Sequence, residues 1–150
     1  MISKIESLLE KRFQEEAYKG CFLVDIIHKN QKLQVFIDHD EGISYKMCTS
    51  FSRYLEEYLD ESKIMGDKYI LEVSSPGADR PIKLKRQLPK NIGRKVQYLL
   101  DSGDHQKQVG KLIGVEDNIM IVEIKEKKKD AVQQRIDFDQ LAELKIVISF

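Results

Sequence analysis

The chain has 150 residues, 41% of them hydrophobic and 33% charged, with 25 Lys+Arg against 25 Asp+Glu. That length suits one ordinary domain or two small ones, and zero net charge excludes a whole-molecule attraction to nucleic acid. No apolar stretch approaches the roughly 20 residues of a membrane span, and Met1-Ile2-Ser3-Lys4-Ile5-Glu6 carries charges where a signal peptide needs an apolar run, so a cytoplasmic protein with no membrane partner is expected.

Residues 2–17 place Ile5, Leu8, Leu9 and Phe13 at i, i+3, i+4 spacing, with Lys4, Glu6, Glu10, Lys11 and Glu15 on the other face. This pattern predicts an amphipathic helix, with Gly20 as a stop. The apolar, β-branched run 21–28 and the alternating run 32–38 flank a polar turn and predict a hairpin. After the break at Asp38-His39-Asp40-Glu41-Gly42, Ser44 can cap a second helix, with Ile43 and Cys48 placed as a hydrophobic staple. Met47, Phe51, Tyr54, Leu55, Tyr58 and Leu59 form its apolar stripe, and a third strand follows at 69–73. The order α-β-β-α-β predicts a small sandwich of one sheet and two helices.

After Pro81 the pattern changes. A short linker, 83–89, leads into short strands expected at 95–100, 108–115, 119–124, 133–138 and 141–148. Asp101-Ser102-Gly103, Glu116-Asp117-Asn118 and the lysine run at 125–129 separate them, and Gly93, Gly110 and Gly114 suit tight bends. The expected fold is therefore α+β with two domains: an N-terminal α-β-β-α-β sandwich over 1–82 and a small C-terminal β-barrel of SH3-like or Sm-like type over 83–150. Residues 1–82 hold 11 Lys+Arg and 15 Asp+Glu, and residues 83–150 hold 14 and 10, so an acidic half precedes a basic one.

The usual enzymatic patterns are missing from the sequence. There is no Gly-x-Gly-x-x-Gly, no glycine placed upstream of Gly110-Lys111 to make a phosphate loop, and no Gly-x-Ser-x-Gly elbow. Cys21 and Cys48 lie among apolar neighbours and read as buried reduced thiols. Asp38-His39-Asp40 offers possible metal ligands or a hydrolase centre, but without His or Cys partner spacing a solvated acidic turn is the stronger reading. No enzyme activity, metal or cofactor is expected.

Lys125, Lys127, Lys128 and Lys129 form the densest basic cluster, either a solvated hairpin tip that discourages edge pairing or a phosphate contact. Lys83, Lys85, Arg86, Lys90, Arg94 and Lys95 form a second group with the same two readings. Neither interleaves aromatics, which argues against base-specific RNA reading.

The segment Ser74-Ser75-Pro76-Gly77-Ala78-Asp79-Arg80-Pro81 is less generic. Pro76 and Gly77 suit the central positions of a type II turn, and Ser75 and Arg80 precede prolines that push them to extended geometry. Such a stiff bend either presents Ser74, Ser75, Asp79 and Arg80 to a partner or fixes a domain angle.

Tyr69-x-Leu71-Glu72-Val73-Ser74-Ser75-Pro76-Gly77-x-Asp79-Arg80-Pro81 resembles the signature of the RimP family of bacterial ribosome maturation factors. The likeness extends to Gly42-Ile43-Ser44, Ser52-Arg53, Gly93-Arg94, Gly110-x-Leu112-x-Gly114-Val115 and the closing stretch at 136–145. The family pattern usually has leucine where Ala78 stands.

The resemblance implies a cytoplasmic, non-enzymatic factor that binds the free, immature small ribosomal subunit. It would help a ribosomal protein of the decoding region take its place, and would use no cofactor. Glu72, Ser74, Ser75, Pro76, Gly77, Asp79 and Arg80 are then candidate partner-binding residues. Arg80 would give a charge-assisted hydrogen bond, and Asp79 would orient it or meet a basic ribosomal protein. Lys83, Lys85, Arg86, Arg94 and Lys95 are candidate rRNA contacts, and a monomer is expected. The alternative is an Sm-like RNA-binding chaperone acting on free small RNAs.

Overall fold

A computed structural model describes residues 1–77, 80–101, 106–125 and 130–147. The chain forms two compact units, Met1–Pro76 and Gly77–Phe150.

In the first unit, α1 (Ile2–Phe13) buries Ile5, Leu9 and Phe13 on one face. It ends one turn earlier than the periodicity suggests, and a single 3-10 turn, Glu16–Tyr18, follows. The early end lets the Tyr18 ring reach Phe51, with centroids 4.8 Å apart. It also places the Arg12 guanidinium 5.1 Å from the Tyr18 ring centroid and 4.7 Å from that of Tyr54. Aromatic burial outweighs the weak helical preference of the final turn.

Strands β1 (Cys21–Lys29) and β2 (Lys32–His39) form the expected antiparallel hairpin. Helix α2 (Tyr45–Ser62) begins at the Ser44 cap, whose hydroxyl oxygen accepts from the Met47 amide at 3.1 Å. It crosses over to β3 (Ile70–Ser74), which runs parallel to β2 in the sheet order β1-β2-β3. A parallel pair needs such a crossover, and an 18-residue helix supplies it. Leu33, Val35 and Ile37 of β2 meet Ile5, Leu9, Phe51, Leu55 and Leu59 in one core. Met47, Tyr54 and Tyr58 pack against that core, as the helical stripe predicts. Cys21 and Cys48 are free and buried; desolvation, with Asp38 as a second cause, raises the Cys48 thiol above its ordinary pKa.

In the second unit the expected five strands are β4 (Lys95–Leu100), β5 (Gln108–Glu116), β6 (Ile119–Ile124), β7 (Val132–Asp137) and β8 (Leu141–Ile146). All are antiparallel neighbours in the order β7-β6-β5-β4-β8. Among the described residues the sheet does not close, because the outer strands β7 and β8 are not paired with one another. It is nonetheless strongly curled. In a flat sheet β7 and β8 would lie four spacings apart, about 19 Å. The connection from Asp137 to Leu141 is a 3-10 turn, Phe138–Gln140, and even fully extended it reaches only about 14 Å. Leu88, Val96, Tyr98, Leu112, Met120, Val122, Ile136 and Leu144 form the core of this sheet. At Gly110 a side chain is excluded, since an added Cβ would lie 2.3 Å from Val122 Cγ1.

The stretch expected as a linker is ordered. Ile82 donates its amide to the Leu144 carbonyl at 2.7 Å and packs on the second core. The buried Gln87 side chain accepts from the Lys83 and Leu84 amides at 2.9 and 2.8 Å, winding Lys85–Gln87 into a 3-10 turn. No helix among the described residues is long and apolar enough to cross a membrane.

Candidate functional site

The signature segment grows out of β3. Ser74 is the last residue of that strand and pairs with Phe36 of β2. Glu72 lies opposite Gln34, two residues earlier, and accepts from its Nε2 at 3.1 Å while Lys32 Nζ stands 3.3 Å away. The Gln34 hydrogen bond first, then Lys32, hold the Glu72 carboxylate below its ordinary range. This carboxylate is therefore engaged with its own sheet.

Ser75 is exposed and Pro76 is buried. Gly77 has φ +64, the left-handed region that the turn requires, with no heavy atom within 4 Å of the place a Cβ would occupy. Glycine is needed there for backbone freedom rather than for space. Arg80 is partly buried and already takes part in a polar, ring or charge contact. Ala78 and Asp79 lie outside the described residues, so the expected Asp79–Arg80 arrangement is not placed by the structure.

The basic candidates separate into two groups. Lys83, Lys85 and Arg86 are exposed around the Gln87 turn, and Lys83, Arg86 and Lys90 already have polar, ring or charge contacts. Arg94 and Lys95 belong elsewhere. They line an open groove of about 620 Å³ with Gly93, Val109, Gly110, Lys111, Glu123, Lys125, Ile146 and Val147. Among the described residues, four cations thus share one groove with a single carboxylate. Lys95 on β4 is the direct cross-strand partner of Lys111 on β5, and Lys111 in turn faces Glu123 on β6. Among the described residues, Arg94, Lys95, Lys111 and Lys125 form no ion pair.

Sequence reasoning missed Lys111. It stands alone in a strand, and only the strand register brings it beside Lys95. Lys125 was singled out as part of the lysine run, whose other members, Lys127, Lys128 and Lys129, lie outside the described residues.

The Asp38-His39-Asp40 turn is organised for structure. His39 Nδ1 accepts from the Glu41 amide at 3.0 Å, so its proton is on Nε2, which donates to the Lys19 carbonyl at 3.1 Å. Asp38 is 3% exposed and accepts from the His39 amide at 2.8 Å. Both histidine nitrogens are occupied by backbone, which leaves neither for a metal or a proton transfer. No group of three or more His, Cys, Asp or Glu among the described residues is placed to hold a metal ion.

Comparison with known proteins agrees with these features. The model of the RimP N-terminal domain matches residues 13–79, which span β1 to the signature turn. A ribosome maturation factor RimP from Cytophaga hutchinsonii is 32% identical over 163 aligned positions, covering 98% of this chain and 96% of its own length.

Proposed function

Since the chain belongs to the RimP family of ribosome maturation factors, we propose that it matures the small ribosomal subunit. It binds the free, immature subunit in the cytoplasm, as a monomer, and helps a ribosomal protein of the decoding region take its place. It works by binding and catalyses no covalent step. The observation that carries this reading is the end-to-end likeness to a ribosome maturation factor.

In this reading Glu72, Ser74, Ser75, Pro76, Gly77, Asp79 and Arg80 contribute to the docking surface for ribosomal protein. The turn's restricted backbone supports that assignment, because little conformational entropy is lost when it docks. Lys83, Lys85, Arg86, Arg94 and Lys95 are rRNA contacts, supported by their exposure and by the basic second half. We also read the curled five-stranded sheet, whose last strand returns to pair with its first, as an SH3-like or Sm-like module.

Sedimentation of a lysate that contains the tagged protein tests the reading. The protein is expected with free small subunits and absent from joined ribosomes. Equal presence in both, or in neither, would overturn it. Replacing Asp79 and Arg80 together with alanine is expected to weaken the association, and unchanged association would remove the docking role.

A further inference from the structure

Within the second unit, the groove lined by Arg94, Lys95, Lys111 and Lys125 carries more positive charge than its fold requires. Like charges at directly paired strand positions destabilise a sheet, and Lys95 and Lys111 occupy such a pair. Among the described residues, Glu123 is the only lining carboxylate and none of the four cations is ion-paired. An anion seated between the two lysines would relieve the repulsion, and a groove rather than a point site accommodates an extended one.

We propose that this groove binds the phosphate backbone of double-stranded RNA. The choice of duplex follows from the lining. Single-strand sites combine basic grooves with aromatic side chains on which bases stack, and among the described residues no aromatic lines this one. Duplex RNA is instead held through phosphates and shape, with little dependence on sequence. The proposal rests on the ribosome-maturation reading for the source of the RNA, a helix of the immature subunit. It adds Lys111 and Lys125 to the contacts and sets Arg94 and Lys95 apart from the Gln87 turn.

The test uses the full chain and a labelled RNA hairpin with a stem of about 16 base pairs, roughly the span of a duplex-binding module. The comparison ligand is an unpaired strand of the same length. Lys95→Gln with Lys111→Gln removes two charges from exposed positions. Lys19→Gln with Lys63→Gln removes two from the first unit, where they pair with Glu16 and Asp67.

The groove variant is expected to bind the hairpin about tenfold more weakly at about 0.1 M salt, and its log–log salt slope should shrink by roughly 2, at ~0.9 counterions per phosphate contact. The first-unit variant should bind like the parent chain, and Lys95→Arg with Lys111→Arg should retain binding. Equal losses in the two glutamine variants would mean general electrostatics and overturn the proposal. So would tighter binding of the unpaired strand, or displacement of neither RNA in favour of an acidic protein. If the groove variant binds hairpin normally while the parent chain still sediments with free small subunits, the groove assignment falls and the functional reading stands. If the parent chain binds hairpin through the groove but never meets the subunit, the reverse holds.

Discussion

Tyr69 shows how one side chain joins two elements. Its hydroxyl donates to Asp60 Oδ1 at 2.7 Å, tying the start of β3 to the end of α2. Desolvation first, then that hydrogen bond and the nearby Asp60 and Glu56 charges, push the phenol from its ordinary 10 up to about 12. The folded state thus favours the neutral phenol. Stability from this group is complete below pH 10 and is lost as the pH rises through about 12. Tyr69→Phe is expected to cost about 1 kcal/mol or less in urea unfolding at neutral pH, as for one exposed hydrogen bond. In an ultraviolet titration it should remove one late-ionising tyrosine; burial raises Tyr98 as well. At this scale the sequence was legible where chemistry is local. Gly77 at positive φ follows from the Pro-Gly dipeptide alone. The neighbourhood of Lys111 was illegible, because cross-strand pairing is set by register and no local motif encodes it.

Elements were read more completely than sites. Alternation in 32–38 is a period-2 signal, and short runs separated by turn residues mark the five later strands; each produced a strand near the expected bounds. The Ser44 cap was equally legible, since a serine before an apolar stripe accepts one of the helix's unpaired amides. Ser44→Ala is expected to lower stability by about 1 kcal/mol, with helical ellipticity retained at low denaturant. Two local structures escaped. The last turn of α1 gives way to a 3-10 turn because Tyr18 and Arg12 are drawn into an aromatic cluster with Phe51 and Tyr54. The supposed linker winds around Gln87, a polar residue whose burial nothing in its neighbours foretells. Both depend on tertiary partners distant in sequence. Closure was less legible for a related reason: short strands with turns fix the number of strands, but closure depends on which edges meet.

For the whole molecule, the two cores share no residue, and each belongs to one compact unit. Phe51 and Leu112 are both 0% exposed, one in each core. Phe51→Ala and Leu112→Ala are each expected to cost about 2–5 kcal/mol in their own unit. The double variant should be additive within about 0.5 kcal/mol. Amide hydrogen exchange checks this, with protection of Leu55 expected to fall in the first variant and of Met120 in the second. The parallel pairing of β2 with β3, Lys32↔Ile70 through Phe36↔Ser74, also has a temporal consequence. A chain that emerges N-terminus first completes the hairpin and α2 before β3 exists. Closing this long loop comes late because its entropy must be lost before the strand contacts form. In pulse-labelled refolding, the amides of Leu71 and Val73 are therefore expected to gain protection after those of Val35 and Leu55. The Ser75-Pro76-Gly77 turn hangs from this last strand, so an unfinished first unit would present no ordered turn. A partner that recognises the turn would at the same time verify that the first unit is complete.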